Sequence, residues 1–129
     1  MRSYHFIPTV LVLILTSMVA NAQNNQKDIP SASERAAKLT DWMKTNLQLT
    51  DDQLPKVQDI NMKYANKMED LKNSAAAKRQ KLLTLKENDA AKDAELKQVF
   101  TDSQYKTYMT KKDELKKKLK QELNERKAG

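Results

Sequence analysis

Leu49-Thr50-Asp51-Asp52-Gln53-Leu54 and, fifty-one positions later, Phe100-Thr101-Asp102-Ser103-Gln104-Tyr105 decide the fold. Each places a threonine where its hydroxyl can accept the backbone N–H three residues on. Each also places a glutamine where its side chain can reach back to the threonine N–H, which together make the capping box that opens a helix. Leu49 and Leu54, like Phe100 and Tyr105, occupy the positions of a hydrophobic staple, and the acids between them suit the positive end of a helix dipole. Beyond the caps the match persists at the same offset: Val57 with Tyr108, Tyr64 with Leu115, and Met68 with Leu119. A repeated apolar registry behind a repeated cap predicts duplicated helical hairpins.

Working outward, Ser31-Ala32-Ser33-Glu34 fits the same box and opens an earlier helix with Ala36, Leu39, Trp42 and Met43 on one face. That helix is expected to end near Asn46, the residue best able to turn left-handed in a chain whose only glycine is Gly129. Pro55 falls near the start of the second helix and moves its beginning towards Asp52 or Gln53. Val57, Ile60, Tyr64, Met68, Leu71, Ala75 and Leu82 then continue a stripe at helical spacing. Run from Asp52 to Lys86, this helix would be about 52 Å long, with Asn73-Ser74 its natural bend. A polar turn at Asn88-Asp89 is expected before a short helix with Ala91, Ala94, Leu96 and Val99. The last helix carries Tyr108, Met109, Leu115, Leu119 and Leu123. No segment shows period-two alternation, so the fold class is all-α, made of elongated hairpins.

The N-terminus reads as an export signal. Arg2 precedes an apolar run from Val10 to Val19, and Ala20-Asn21-Ala22 offers the small-x-small pattern of a cleavage site. The run is too short to span a bilayer, so no stable membrane insertion is expected after cleavage. The organisation expected is 1–22 signal peptide, 23–30 leader, 31–123 helical domain and 124–129 frayed tail. Cleavage removes one charged residue, Arg2, and lowers the net charge from +7 to +6.

Composition narrows the chemistry. The 129 residues hold no cysteine, and the single histidine, His5, lies in the signal. Thiol nucleophiles, thiolate zinc sites and glycine-rich phosphate loops are therefore excluded, and no metal, cofactor or catalytic residue is expected. The carboxylates all have lysine or arginine nearby, which offers no tuned acid–base pair. Aromatic residues are 5% and charged residues 32%, enough for a thin apolar seam and not for a substrate-engulfing core. Export also sets aside nucleic acid as the partner of the positive charge. Lys78, Arg79, Lys81, Lys111, Lys112 and Lys116 form two basic clusters that could attract unfolded or acidic clients. Met62, off the apolar stripe, could add an adaptable contact.

An exported, basic, all-helical chain with two such Thr-x-x-Gln motifs resembles the LTxxQ-motif family of periplasmic stress proteins (Spy/CpxP-like). The resemblance rests on Leu49, Thr50 and Gln53 and on Phe100, Thr101 and Gln104, and it extends from about Ser31 to Leu123. It implies a cradle-like homodimer that binds unfolded or partly folded proteins in the periplasm without ATP during envelope stress. The alternative it leaves is a regulatory or structural helical partner of a membrane stress sensor, with no general client binding. The signal directs the chain to the periplasm or onward across the outer membrane.

Overall fold

The computed structural model describes residues 30–128; the expected signal peptide (1–22) and most of the expected leader (23–30) lie outside them. Four helices follow in order: α1 Ala32–Leu47, α2 Gln53–Asn73, α3 Lys78–Val99 and α4 Asp102–Ala128, with no strand among the described residues. The fold is all-α.

Local chemistry sets the starts of α1, α2 and α4. Ser31 closes its box with Glu34: Glu34 N donates to Ser31 Oγ at 3.2 Å, and Ser31 N donates to Glu34 Oε2 at 2.7 Å. Helix α1 runs past Asn46, because Leu47 is needed in the core. The left-handed residue is Gln48, at φ 52° and ψ 55°, while Asn46 Nδ2 donates to the Trp42 carbonyl at 2.8 Å. At the next corner the Thr50 carbonyl accepts both Gln53 N and Leu54 N at 3.1 Å. Pro55, which has no N–H to give Asp51, leaves the regular ladder to begin at Gln53.

Two expectations from periodicity do not survive. The rod from Asp52 to Lys86 is broken: Ser74 and Ala77 are extended, and the chain reverses between α2 and α3. The turn at Asn88-Asp89 is instead helical, within a continuous α3, because Asp89 is drawn into ion pairs with α4. Ala91 and Ala94 face solvent there. At the other end α4 continues to Ala128, so residues 124–128 are helical where a frayed tail was expected.

Successive helices lie antiparallel. Arg35 at the start of α1 pairs with Glu69 near the end of α2, and Thr40 meets Asn61 midway. Glu95 late in α3 bonds Lys63 and Tyr64 in the middle of α2. Asp93 of α3 bonds Tyr108 and Lys112 of α4. The result is two hairpins, α1–α2 and α3–α4, joined chiefly by α2 packing along α3, with a smaller contact between α1 and α4.

The core lies at the corner end, where both hairpins turn. Leu39, Met43, Leu47, Val57, Leu96, Phe100 and Tyr108 form one buried cluster, flanked by Trp42, Leu49, Ile60, Val99, Tyr105 and Met109. Phe100 meets Tyr108 edge-on, with ring centres 5.7 Å apart. Fully burying each such side chain contributes roughly 1.5–3 kcal/mol. Away from the corners the seam thins. Leu82, expected on the buried stripe, is 51% exposed, and Ala75 is exposed in the linker.

Candidate functional surface and the paired corners

The two threonine–glutamine corners are brought together. At each, the threonine hydroxyl accepts the glutamine N–H (3.3 Å at Thr50–Gln53, 3.2 Å at Thr101–Gln104), and the glutamine Oε1 accepts the threonine N–H at 3.0 and 2.9 Å. The glutamines then join each other. Gln53 Nε2 donates to Gln104 Oε1 at 2.8 Å, and Gln104 Nε2 donates to Gln53 Oε1 at 3.0 Å. Each also caps the other hairpin: Gln53 Nε2 donates to the Val99 carbonyl at the end of α3 (3.0 Å), and Gln104 Nε2 to the Leu47 carbonyl at the end of α1 (3.1 Å). One pair of side chains therefore serves two helix starts and two helix ends, whose backbone groups need partners. Leu49 and Phe100 pack into or against the core beneath this clasp, while Thr50 and Thr101 stay exposed. Sequence reading found both caps and missed the bridge between them.

A second polar array lies in the α3–α4 seam. Lys112 is only 8% exposed, with Nζ 2.7 Å from Asp89 Oδ1 and 2.6 Å from Asp93 Oδ2. Tyr108 donates to Asp93 Oδ1 at 2.8 Å; burial, then Asp93, pushes its phenol well above the usual range. Half-buried Lys92 shares this ground, and burial together with the nearby Lys112 lowers its ammonium to about 8 against the opposing pull of Asp89 and Asp93. Between α2 and α3, Tyr64 is pushed up to about 12 by burial and its bond to Glu95. Glu95 is held below its ordinary value by Lys63 and Tyr64.

These contacts divide the expected client-binding residues. Lys112 is removed from that set: it is an internal ion-pair partner, because Asp89 and Asp93 on α3 face it across the seam. Lys116 stays half-exposed with Asp89 at 3.5 Å, and Lys111 lies on the surface 3.9 Å from Glu114. Met62 is half-buried. Lys78 and Arg79 are exposed at the start of α3, whereas Lys81 is half-buried with Nζ on the Lys72 carbonyl at 3.0 Å. Two residues not anticipated join them, Leu82 and Leu83, 51% and 47% exposed. The stretch Lys78–Lys86 thus carries four cations and no acid around two exposed leucines. Among the described residues no group of three or more acidic or imidazole side chains is placed to hold a metal ion, and no helix is long and apolar enough to cross a membrane.

Fold and surface define a class: an all-helical double hairpin, clasped at its corners and bare at the opposite end. The chain belongs to the family described as Domain of unknown function (DUF4890), whose sequence model matches residues 20–108. The matched span contains both threonine–glutamine corners and the Lys78–Lys86 face, and it ends before Lys111, Lys112 and Lys116. No curated protein and no solved structure is a significant match to the chain.

Proposed function

We propose that this chain is an exported, ATP-independent holdase-like protein that binds unfolded or partly folded proteins in the periplasm, as its resemblance to the LTxxQ-motif stress proteins implies. The observation that carries the reading is the Lys78–Lys86 face, which sets exposed Leu82 and Leu83 among Lys78, Arg79, Lys81 and Lys86. Exposed apolar side chains in a cationic setting suit loose capture of unfolded chains: the charge speeds encounter, and the leucines hold apolar segments reversibly. The working unit in this proposal is a cradle-like homodimer that sets two such faces side by side, with Lys111 and Lys116 extending the positive rim.

The test is suppression of aggregation of several unrelated unfolded proteins at near-stoichiometric amounts. The purified chain protects them broadly, and Leu82→Ser/Leu83→Ser loses protection while keeping its melting temperature, since both positions are already half in water. Client association slows as ionic strength rises. Protection of no client, or of a single partner only, sinks the holdase reading, and the single-partner result points to a dedicated helical partner.

A further inference from the structure

The segment between α2 and α3 conflicts with its own sequence. Ser74 (φ −72°, ψ 156°) and Ala77 (φ −61°, ψ 149°) are extended, yet Ser74-Ala75-Ala76-Ala77 contains neither glycine nor proline and three of the strongest helix formers. Helix α3 begins without help. Its N-cap, Ala77, makes no side-chain bond, its first turn has no acid, and Lys78, Arg79 and Lys81 crowd the positive end of its dipole. The one local stop signal is Ser74, whose N and Oγ both bond the Leu71 carbonyl, at 3.2 and 2.8 Å.

Local preference therefore favours a helix running through residues 74–77, and tertiary contacts bend it back. Those contacts are the Lys63–Glu95 ion pair, the Tyr64–Glu95 bond and the Gln53–Gln104 clasp. All of them join the α1–α2 hairpin to the α3–α4 hairpin, so two hairpins from different copies can make them equally well. Short hinges that oppose their own propensity are where such exchange starts.

We infer that Ser74–Ala77 is an exchange hinge: straightened, it fuses α2 and α3 into one helix, and two copies trade hairpins to form a symmetric dimer. The inference rests on the homodimer of the proposed function and supplies its architecture. The fused helix, Gln53 to Val99, is about 70 Å long. Of the contacts named above only those at the hinge, the Lys81 bond to the Lys72 carbonyl and the Ser74 bonds to the Leu71 carbonyl, have to be remade. The antiparallel register that sets Lys63 beside Glu95 brings residue 79 of the two copies to the two-fold axis. Lys78, Arg79 and Lys81 of both chains then approach one another, and salt promotes the dimer by screening them.

The absence of cysteine allows a direct test. In the variant Lys63→Cys/Glu95→Cys, a short bismaleimide links the two helices, and chromatography with light scattering separates monomer from dimer. The exchange requires links between chains in the dimer, links within one chain in the monomer, and a dimer fraction that rises with protein and salt. Lys78→Pro supplies a second reading. Proline is compatible with the first helical position after extended Ala77, but it opposes the fused helix by about 3 kcal/mol. It therefore raises the dimer dissociation constant at least about a hundredfold and leaves a folded helical monomer. A dimer with all its links within single chains, or a chain that stays monomeric at every concentration and salt, overturns the exchange. Client protection by such a chain leaves the holdase reading standing; exchange without protection fails the holdase reading alone.

Discussion

Gln104→Ala tests the clasp most sharply. The substitution removes four short hydrogen bonds, those accepted from Thr101 N (2.9 Å) and Gln53 Nε2 (2.8 Å) and those donated to Gln53 Oε1 (3.0 Å) and the Leu47 carbonyl (3.1 Å), and a long one to the Gln48 carbonyl (3.5 Å) that adds little. At about 1 kcal/mol net per short bond the ceiling is about 4 kcal/mol, and water reaching this half-exposed corner recovers part of it, leaving a loss of roughly 2 kcal/mol. Gln53→Ala removes the matching set at Thr50 and Val99 and costs about as much. Two of the bonds are common to both variants. The double variant therefore loses less than the sum, by roughly 1–2 kcal/mol. Urea unfolding followed by circular dichroism, at one low protein concentration, measures all four corners of the cycle. A coupling below about 0.3 kcal/mol would mean that the two glutamines are independent caps, and the clasp would have to be abandoned. Gln104→Glu adds an isosteric control. A carboxylate has no donor for Gln53 Oε1 or Leu47, so this variant is weaker than Gln104→Ala at neutral pH and recovers as acid protonates it.

The remaining expectations follow the other contacts. Thr50→Ala costs about 1 kcal/mol and lowers the melting temperature by several degrees while client protection below that temperature is unchanged; lost protection at unaltered stability would make Thr50 a contact residue. Lys112→Met keeps the aliphatic stem but leaves Asp93 without its cation. It destabilises by roughly 2 kcal/mol, less than a fully buried pair because Asp89 is partly in water, and an unchanged unfolding midpoint refutes that role. Glu69 and Glu95 both sit below their ordinary values in the folded chain, held by Arg35 and Lys63 respectively. Their contribution is present above the unfolded value, near pH 4.3, and is lost as pH falls through the folded ones; Glu95→Gln flattens that acid limb, visible in melts across pH. Lys92, lowered to about 8, binds fewer protons folded than unfolded, so stability rises between pH 8 and its unfolded value near 10.4; Lys92→Met removes the rise.

What the sequence carried was whatever spans three or four residues. Ser31 with Glu34, Thr50 with Gln53 and Thr101 with Gln104 bond across a single turn, so spacing is enough to place them. The all-α class follows from the same local signals. Contacts between hairpins were not legible in this way. Gln53 reaches Gln104 across fifty-one positions, and no composition indicates that one amide must serve two helices. Asn88-Asp89 has the polarity of a turn, yet Asp89 stays helical because Lys112 neutralises it from α4. Leu82 keeps perfect helical phase with the stripe before it. Phase reports which face a residue occupies and says nothing of whether another helix covers that face. Asn73-Ser74 was legible as a bend and not as a full reversal, since the three alanines after it are helix formers.

The distribution of these contacts makes the two ends of the molecule unlike. At the corners, Met43, Val57 and Leu96 are completely buried beneath the clasp, and each hairpin turn is tied to the other by side-chain amides. About 30 Å away along α2, the hinge end has exposed leucines, an uncapped helix start and a run of like charges. Stability is set by the first region, so the second can bind, detach or exchange at little cost to the core. That separation is what the proposed reversible adhesive surface requires: a face meant for a partner can keep its apolar groups in water only if the fold does not depend on burying them.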